Sequence, residues 1–229
     1  MATRITVIGG GPGGYVAAIR AAQLGGAVTL IEREALGGTC LNWGCIPSKI
    51  LRHAGELYES LRQAAAFGVR LPEGAAFDPA AFQGHKEKVL ATQREGIAAL
   101  LKRAGVTFAT GEARCTGPGE VTVTTASGEE KIGYDRLLLA AGTVPKALPG
   151  LPFDGERILS SNDLLSLAAL PQSLVIVGGG VIGCEFACML AALGVRVTVV
   201  EALERLLPLP AVDASISALL LREMKKRKI

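Results

Sequence analysis

A chain of 229 residues with a formal net charge of +3 is long for one domain and short for two complete ones. Nearly half of it is apolar and a fifth charged, enough for a sizeable core, and so small a positive excess gives no argument for nucleic acid or a membrane surface as partner. No apolar run is long enough to span a bilayer and nothing reads as a signal peptide, so the expectation is a cytoplasmic protein whose five cysteines are reduced and in which any disulfide is a working one.

In chain order, Ile5, Val7 and Ile8 form a short β-branched run that stops at Gly9-Gly10-Gly11-Pro12-Gly13-Gly14. A helical pattern comes next through Val16, Ala17, Ile19, Arg20 and Leu24, Gly25-Gly26 ends it, and Val28 to Ile31 read as a second strand closed by Glu32. A helical stretch from Thr39 to Gln63 carries Pro47 early, which predicts kinked or irregular first turns. A glycine- and proline-containing loop leads to a second long helix, Asp78 to Arg103. Strands are predicted at Val106 to Thr110, Val121 to Thr125 and Leu137 to Ala140, with Gly117-Pro118-Gly119 and Ser127-Gly128 as turns, and residues 145 to 155 read as a linker.

The opening pattern then recurs. Leu174 to Val177 is a strand, Gly178 to Gly183 the turn, Cys184 to Leu193 the helix, and Val195 to Val200 a strand running into Glu201. One offset separates Gly9 from Gly178, Gly11 from Gly180, Gly14 from Gly183 and Glu32 from Glu201, which predicts two dinucleotide sites. In each, the first glycine permits the turn, the second lets the backbone approach a pyrophosphate, and the third lets helix and strand pack. Amide donors at the helix start, supplied in the second copy by Val181 and Ile182, then face the phosphates. Glu32 and Glu201 are placed to accept from a ribose diol, and a carboxylate at Glu201 favours NAD over NADP. Arg205, four residues on, is the nearby residue of the kind that serves a 2′-phosphate.

Cys40-Leu41-Asn42-Trp43-Gly44-Cys45 is the chemical centre. A disulfide needs Cα atoms within about 7 Å, whereas five residues of regular helix rise roughly 7.5 Å. The pair can bridge only if this turn is distorted, for which Gly44 and Pro47 supply the means, and a bridge enclosing so little chain would matter for reactivity more than stability. Two buried free thiols are the alternative reading at this point. A metal site fails on spacing and ligand count, since His53 and His85 form no Cys/His set. Cys184 and Cys188, one turn apart in an apolar helix, read as packing residues, and Cys115 has no assigned role. Glu185 inside that apolar helix calls for a cation, because an unpaired buried carboxylate is costly, and Lys49 is the candidate. The basic run Lys225 to Lys228 reads as a solvated helix end.

The segment Leu36-Gly37-Gly38-Thr39-Cys40-Leu41-Asn42-Trp43-Gly44-Cys45-Ile46-Pro47-Ser48-Lys49 resembles the active-site signature of the dihydrolipoamide dehydrogenase and glutathione reductase family, and Glu201 with Pro47-Ser48-Lys49 makes the dihydrolipoamide dehydrogenases the nearest members. The resemblance runs from Ile5 onward. It implies an α/β fold: a Rossmann-like FAD-binding domain with inserted helices and a β-meander over residues 1 to 148, carrying the redox-active disulfide, and a partial Rossmann-like NAD-binding domain over 149 to 229. It implies that Gly9, Gly11, Gly14, Glu32, Gly38, Thr39, Ala113 and Gly142 contact FAD, and that Gly178, Gly180, Val181, Ile182, Gly183 and Glu201 contact NAD. Ala140-Ala141-Gly142 departs from the family pattern, which commonly has Thr where Ala141 stands.

The catalytic residues implied are Cys40, Cys45, Lys49 and Glu185. Cys40 exchanges with a dithiol substrate, Cys45 lies against the flavin, and Lys49 sits near the flavin, paired with Glu185 beside the nicotinamide. Electrons would pass from a dihydrolipoyl group of a 2-oxoacid dehydrogenase complex through the disulfide and FAD to NAD, in a homodimer. Family members are about twice this length, so the expectation is a front half that is not competent alone. A noncatalytic FAD-binding module, or a mercuric or glutathione reductase, are the alternatives.

Overall fold

A computed structural model describes residues 1–70 and 76–229. The loop expected after Gln63 falls partly on residues 71–75, outside the described residues. The chain divides into two compact units, residues 1–47 with 85–162, and residues 48–84 with 163–229.

In the first unit β1 (Arg4–Ile8), α1 (Pro12–Gln23) and β2 (Ala27–Glu32) form the βαβ hairpin predicted from the glycines. Pro12 starts α1, where its missing N–H costs nothing. The cysteine-bearing segment forms α2 (Gly38–Asn42), then breaks, and α3 (Cys45–Gln63) begins anew with Pro47 in its first turn. The single irregular helix expected from Thr39 to Gln63 is therefore two helices. Proline is tolerated in a first turn, so the break falls earlier, at Trp43–Gly44. A 3₁₀ turn (Ala64–Phe67) continues from α3, and α4 (Pro79–Arg103) is the second long helix.

Five strands come next: β3 (Thr107–Thr110), β4 (Glu112–Gly117), β5 (Glu120–Thr125), β6 (Gly128–Gly133) and β7 (Arg136–Leu139). β3, β2, β1 and β7 lie side by side in a parallel sheet, and β4–β5–β6 form an antiparallel meander. β6 escaped the sequence reading because Gly128-Glu129-Glu130-Lys131 shows no apolar alternation; its backbone pairs with β5 while most of its side chains face solvent.

Alternation along β2 explains the layering. Val28 and Leu30 point to one face, where they pack with Ala18 of α1 and Leu101 of α4, whereas Ile31 points to the other and packs with Val121 and Val123 of the meander. The parallel sheet is thus covered on both faces, as parallel sheets require.

The second unit contains α3 from Ser48 on, the second half of α5 (Ser161–Leu164), β8 (Ser173–Val177), α6 (Val181–Ala192), β9 (Arg196–Val200) and α7 (Ala214–Lys226). β8 and β9 pair in parallel, and among the described residues this sheet has those two strands only. α6 buries two faces. Cys184, Ala187 and Leu190 pack with Val195, Val197 and Met224, while Phe186, Met189 and Leu193 pack with Leu51 of α3 and Leu165. No helix among the described residues is long and apolar enough to cross a membrane.

Leu190 is 1% exposed. Leu190→Ala is expected to lower the unfolding free energy of this unit by about 2–5 kcal/mol, read by denaturant titration. Leu100→Ala, at an exposed position of α4, should change stability little.

Candidate functional site

The two glycine turns are near copies at the atomic level. Gly9 and Gly178 both have left-handed backbones, with φ of 105° and 111°. Gly11 and Gly180 cap their helices with φ −72° and ψ of −177° and −175°. A Cβ on Gly14 would lie 1.7 Å from the Gly9 carbonyl oxygen, and one on Gly183 would lie 2.0 Å from that of Gly178, so neither position accepts a side chain. Glu32 Oε2 accepts from the Gly10 N–H at 2.6 Å, and Glu201 Oε2 from the Gly179 N–H at 2.6 Å. Their second oxygens accept from the N–H groups of Glu34 and Leu203 at 2.8 and 2.9 Å. Each acid therefore braces the glycine turn that precedes it, and a carboxylate's remaining lone pairs can still accept from a diol.

Beyond the acid the two units diverge. In the first, the chain leads into the redox segment, whose Gly37 N–H donates to the Gly10 carbonyl at 2.8 Å. Gly37 and Gly38 are successive left-handed residues, φ 94° and 54°, and a Cβ on Gly38 would lie 2.7 Å from Gly11 Cα. The cysteine-bearing segment thus stacks backbone to backbone on the first glycine turn. In the second unit Leu207 N–H occupies the equivalent carbonyl, Gly179, at 2.7 Å. Arg205 turns into its own loop, its Nη2 donating to the carbonyls of Leu209 and Val212 at 3.2 and 3.0 Å.

Gly44 makes the cysteine pair possible. A Cβ there would meet the Thr39 carbonyl oxygen at 2.9 Å and Cys40 Cα at 3.3 Å, so the chain folds tightly back on Cys40 just before Cys45. The resulting near-contact of the two cysteines is compatible with a disulfide. Cys40 is half-buried and Cys45 exposed, so the alternative of two buried thiols does not describe them.

Thr39 is exposed on α2 and Gly38 half-buried at its start. Ala140, at the end of β7, crowds the first glycine turn: its carbonyl oxygen lies 2.2 Å from where a Gly9 Cβ would be, and Gly142 lies two residues on with φ 70°. Ala113 lies on β4 and packs at the edge of the Ile31–Val121–Val123 cluster, two residues after Gly111, whose N–H donates to the Glu32 carbonyl at 2.9 Å.

In the second unit Lys49 Nζ donates to Glu185 Oε1 at 2.7 Å. The expectation of a buried Glu185 is corrected: its side chain is 41% exposed and that of Lys49 52%, because Glu185 lies between the two buried faces of α6. So exposed a pair contributes only about 0–1 kcal/mol to stability. Val181 and Ile182 are exposed at the start of α6, beside open space above Gly180. Cys184 is 5% exposed and donates its thiol to the Gly179 carbonyl at 3.3 Å. Sequence reasoning gave no role to Asn42 or Arg94, which the fold joins across 52 residues at 3.0 Å. No local pattern carries such a pairing.

Two glycine turns of the form that receives dinucleotide phosphates, one of them in contact with a segment bearing two cysteines, are the arrangement of a Rossmann-like protein with a candidate thiol–disulfide pair. Residues 3–229 match the model of the pyridine nucleotide-disulphide oxidoreductase family, and the chain belongs to that family. It is 42% identical over 223 residues to a dihydrolipoyl dehydrogenase of Bacillus subtilis, covering 97% of this chain and 48% of that protein. It is 46% identical over 209 residues to dihydrolipoyl dehydrogenase 2 of Haloarcula marismortui, covering 90% and 44%. The solved structure of LpdA from Mycobacterium tuberculosis superposes with a TM-score of 0.87 at 32% identity, over 100% of this chain and 50% of that one. The HOCl-induced flavoprotein disulfide reductase RclA of Escherichia coli superposes with 0.82 at 28% identity, over 99% and 48%. The chain spans about half the length of the curated relatives it matches.

The N–H groups of Leu203 and Gly179 hold the Glu201 carboxyl below the ordinary glutamate range. A depressed folded-state value means that the bracing is intact above that range and is lost only as pH falls below it. Amide exchange at Gly179 and Leu203, corrected for intrinsic rates, should stay slow near neutrality and accelerate only in that acid window. Burial pushes the Cys184 and Cys188 thiols up. In the reduced protein at neutral pH, iodoacetamide mapping should find exposed Cys45 and Cys115 alkylated well before Cys184.

Proposed function

We propose that the chain carries the flavin- and disulfide-bearing portion of a dihydrolipoyl dehydrogenase, an enzyme that oxidises a dihydrolipoyl dithiol with NAD⁺. The observation that carries this reading is the packing of Gly37–Gly38 on Gly10–Gly11, which sets the start of the Cys40 helix against a turn fit for a pyrophosphate. The cradle fits FAD: the turn at Gly11 is bare backbone whose nearest neighbour is Gly38 Cα, 3.7 Å from where a Cβ would be, its amides start α1, and Glu32 offers free lone pairs. Gly9, Gly11, Gly14, Glu32, Gly38, Thr39, Ala113 and Gly142 would hold FAD, with residues 1–148 as its domain. Gly178, Gly180, Val181, Ile182, Gly183 and Glu201, within 149–229, would hold NAD. The engagement of Arg205 by loop carbonyls supports NAD over NADP, since it leaves Glu201 as the acid facing the ribose position. Lys49, held by Glu185, completes the cofactor-facing residues assigned to the chain.

When bound, FAD supplies a two-electron relay between dithiol and nicotinamide. The chain's own residues handle the sulfur chemistry. A substrate thiolate bonds to the Cys40 sulfur, the Cys40–Cys45 bond breaks, and Cys45 leaves as thiolate. The second substrate thiol then displaces Cys40. The substrate ends as a cyclic disulfide, and the pair as a dithiol holding two electrons. Reclosure of the bridge returns those electrons, so that overall one dithiol and one NAD⁺ give one disulfide, one NADH and one proton. The substrate would be a lipoyl arm of a 2-oxoacid dehydrogenase complex, met by a cytoplasmic homodimer.

Chain reconstituted with FAD is expected to be yellow, and dihydrolipoamide to open the Cys40–Cys45 bridge into thiols countable by alkylation and mass spectrometry. Cys45→Ser should remove that response and keep the flavin. Cysteines that never respond in a flavin-loaded chain would identify a noncatalytic FAD-binding module instead.

A further inference from the structure

Asn42, the third residue of the cysteine motif, is 8% exposed, and its carboxamide is fully engaged. Nδ2 donates to the carbonyls of Leu36 at 3.1 Å and Gly38 at 3.0 Å, while Oδ1 accepts from Arg94 Nη1 at 3.0 Å. The two carbonyls bracket the left-handed Gly37–Gly38 turn. Glycine holds such a turn loosely, because nothing in its own side chain limits φ and ψ. The carboxamide stitches across the turn and ties it to the last residue of α2, so Cys40 lies inside the closed ring of contacts.

A carboxamide has two orientations, and only one puts N–H groups on those carbonyls. A guanidinium only donates, so Arg94 admits only the orientation in which Oδ1 faces it and Nδ2 faces the turn. Its charge also polarises the amide, which strengthens both N–H donations. Arg94 comes from α4, two turns after Glu87, and its second arm, Nη2, is ion-paired to that glutamate. Its side chain is 29% exposed, and Leu90 on the same face of the helix is 3% exposed.

We infer that Arg94 is a positioning residue for the Cys40–Cys45 pair, acting through Asn42. It holds the carboxamide in the one orientation that closes the Gly37–Gly38 turn, and so holds Cys40 where Cys45 can reach it. The inference rests on the reading of the two cysteines as a redox pair. A bridge within a preorganised segment has a high effective concentration of one thiol for the other, and a loosened segment has a lower one.

The test is the thiol–disulfide equilibrium of this chain, without flavin, against defined ratios of reduced and oxidised dithiothreitol, quenched by alkylation and quantified by mass spectrometry. Arg94→Met is expected to shift the equilibrium about tenfold towards the dithiol, the size of one charge-assisted hydrogen bond, with a melting temperature close to the parent's. Arg94→Lys, which keeps charge and a donor, should recover part of the shift, and Glu87→Gln should show none of it. An Arg94→Met chain with the parental equilibrium overturns the inference. So does the same shift in Glu87→Gln, which would make the ion pair and not Asn42 the source. If Arg94→Met fails to fold, Arg94→Lys decides alone: a parental equilibrium there overturns the inference, and an intermediate shift sustains it. A parent chain that forms no Cys40–Cys45 bridge in oxidised dithiothreitol would instead refute the redox-pair reading beneath it.

Discussion

The contact on which the candidate site depends is between two stretches of bare backbone. Gly10–Gly11 and Gly37–Gly38 meet with a hydrogen bond of 2.8 Å from Gly37 to Gly10 and no room for a side chain on Gly38. One stretch is the turn that opens α1, and the other opens the helix that bears Cys40. Their approach sets the start of the helix that bears Cys40 against the amides that open α1. Gly44 repeats the device on a smaller scale, letting the chain fold back on Thr39 and Cys40 before Cys45 begins its own helix.

The second glycine turn shows what the first becomes without that contact. Its dihedral angles, its close glycine approach and its braced acid match the first almost number for number. Yet the carbonyl that receives Gly37 in one unit receives Leu207 in the other, at the start of a loop tied internally by Arg205. The same local physics therefore serves two purposes, and the segment after the acid decides which. A redox segment gives a turn that sits beside thiols. A self-contained loop leaves the second turn closed on its own residues.

Burial sorts the five cysteines into different chemistries. Cys184 lies deep in the α6 core and spends its thiol on the Gly179 carbonyl, so desolvation keeps it protonated. Cys45 stands exposed at a helix start, where reagents and substrates can reach it. Lys49 and Glu185 illustrate the converse of a structural ion pair. Half-exposed as they are, their 2.7 Å contact adds little stability.

Whatever depends on local backbone constraint was legible in the order of residues. Glycines at fixed spacing, a terminal acid and β-branched runs were enough for both βαβ units, because no other residue fits those conformations and alternation reports one buried face. The cysteine motif was legible for the same reason. Tertiary structure alone decided what depends on which faces meet. Strand β6 is held by backbone pairing with β5 while its side chains carry almost no apolar signal. Glu185 lies in an apolar helix yet falls between that helix's two buried faces, where solvent reaches it. Arg94 and Asn42 pair across 52 residues because α4 packs over the redox segment, and a charge on a helix looks the same in sequence whether it faces water or a buried carboxamide.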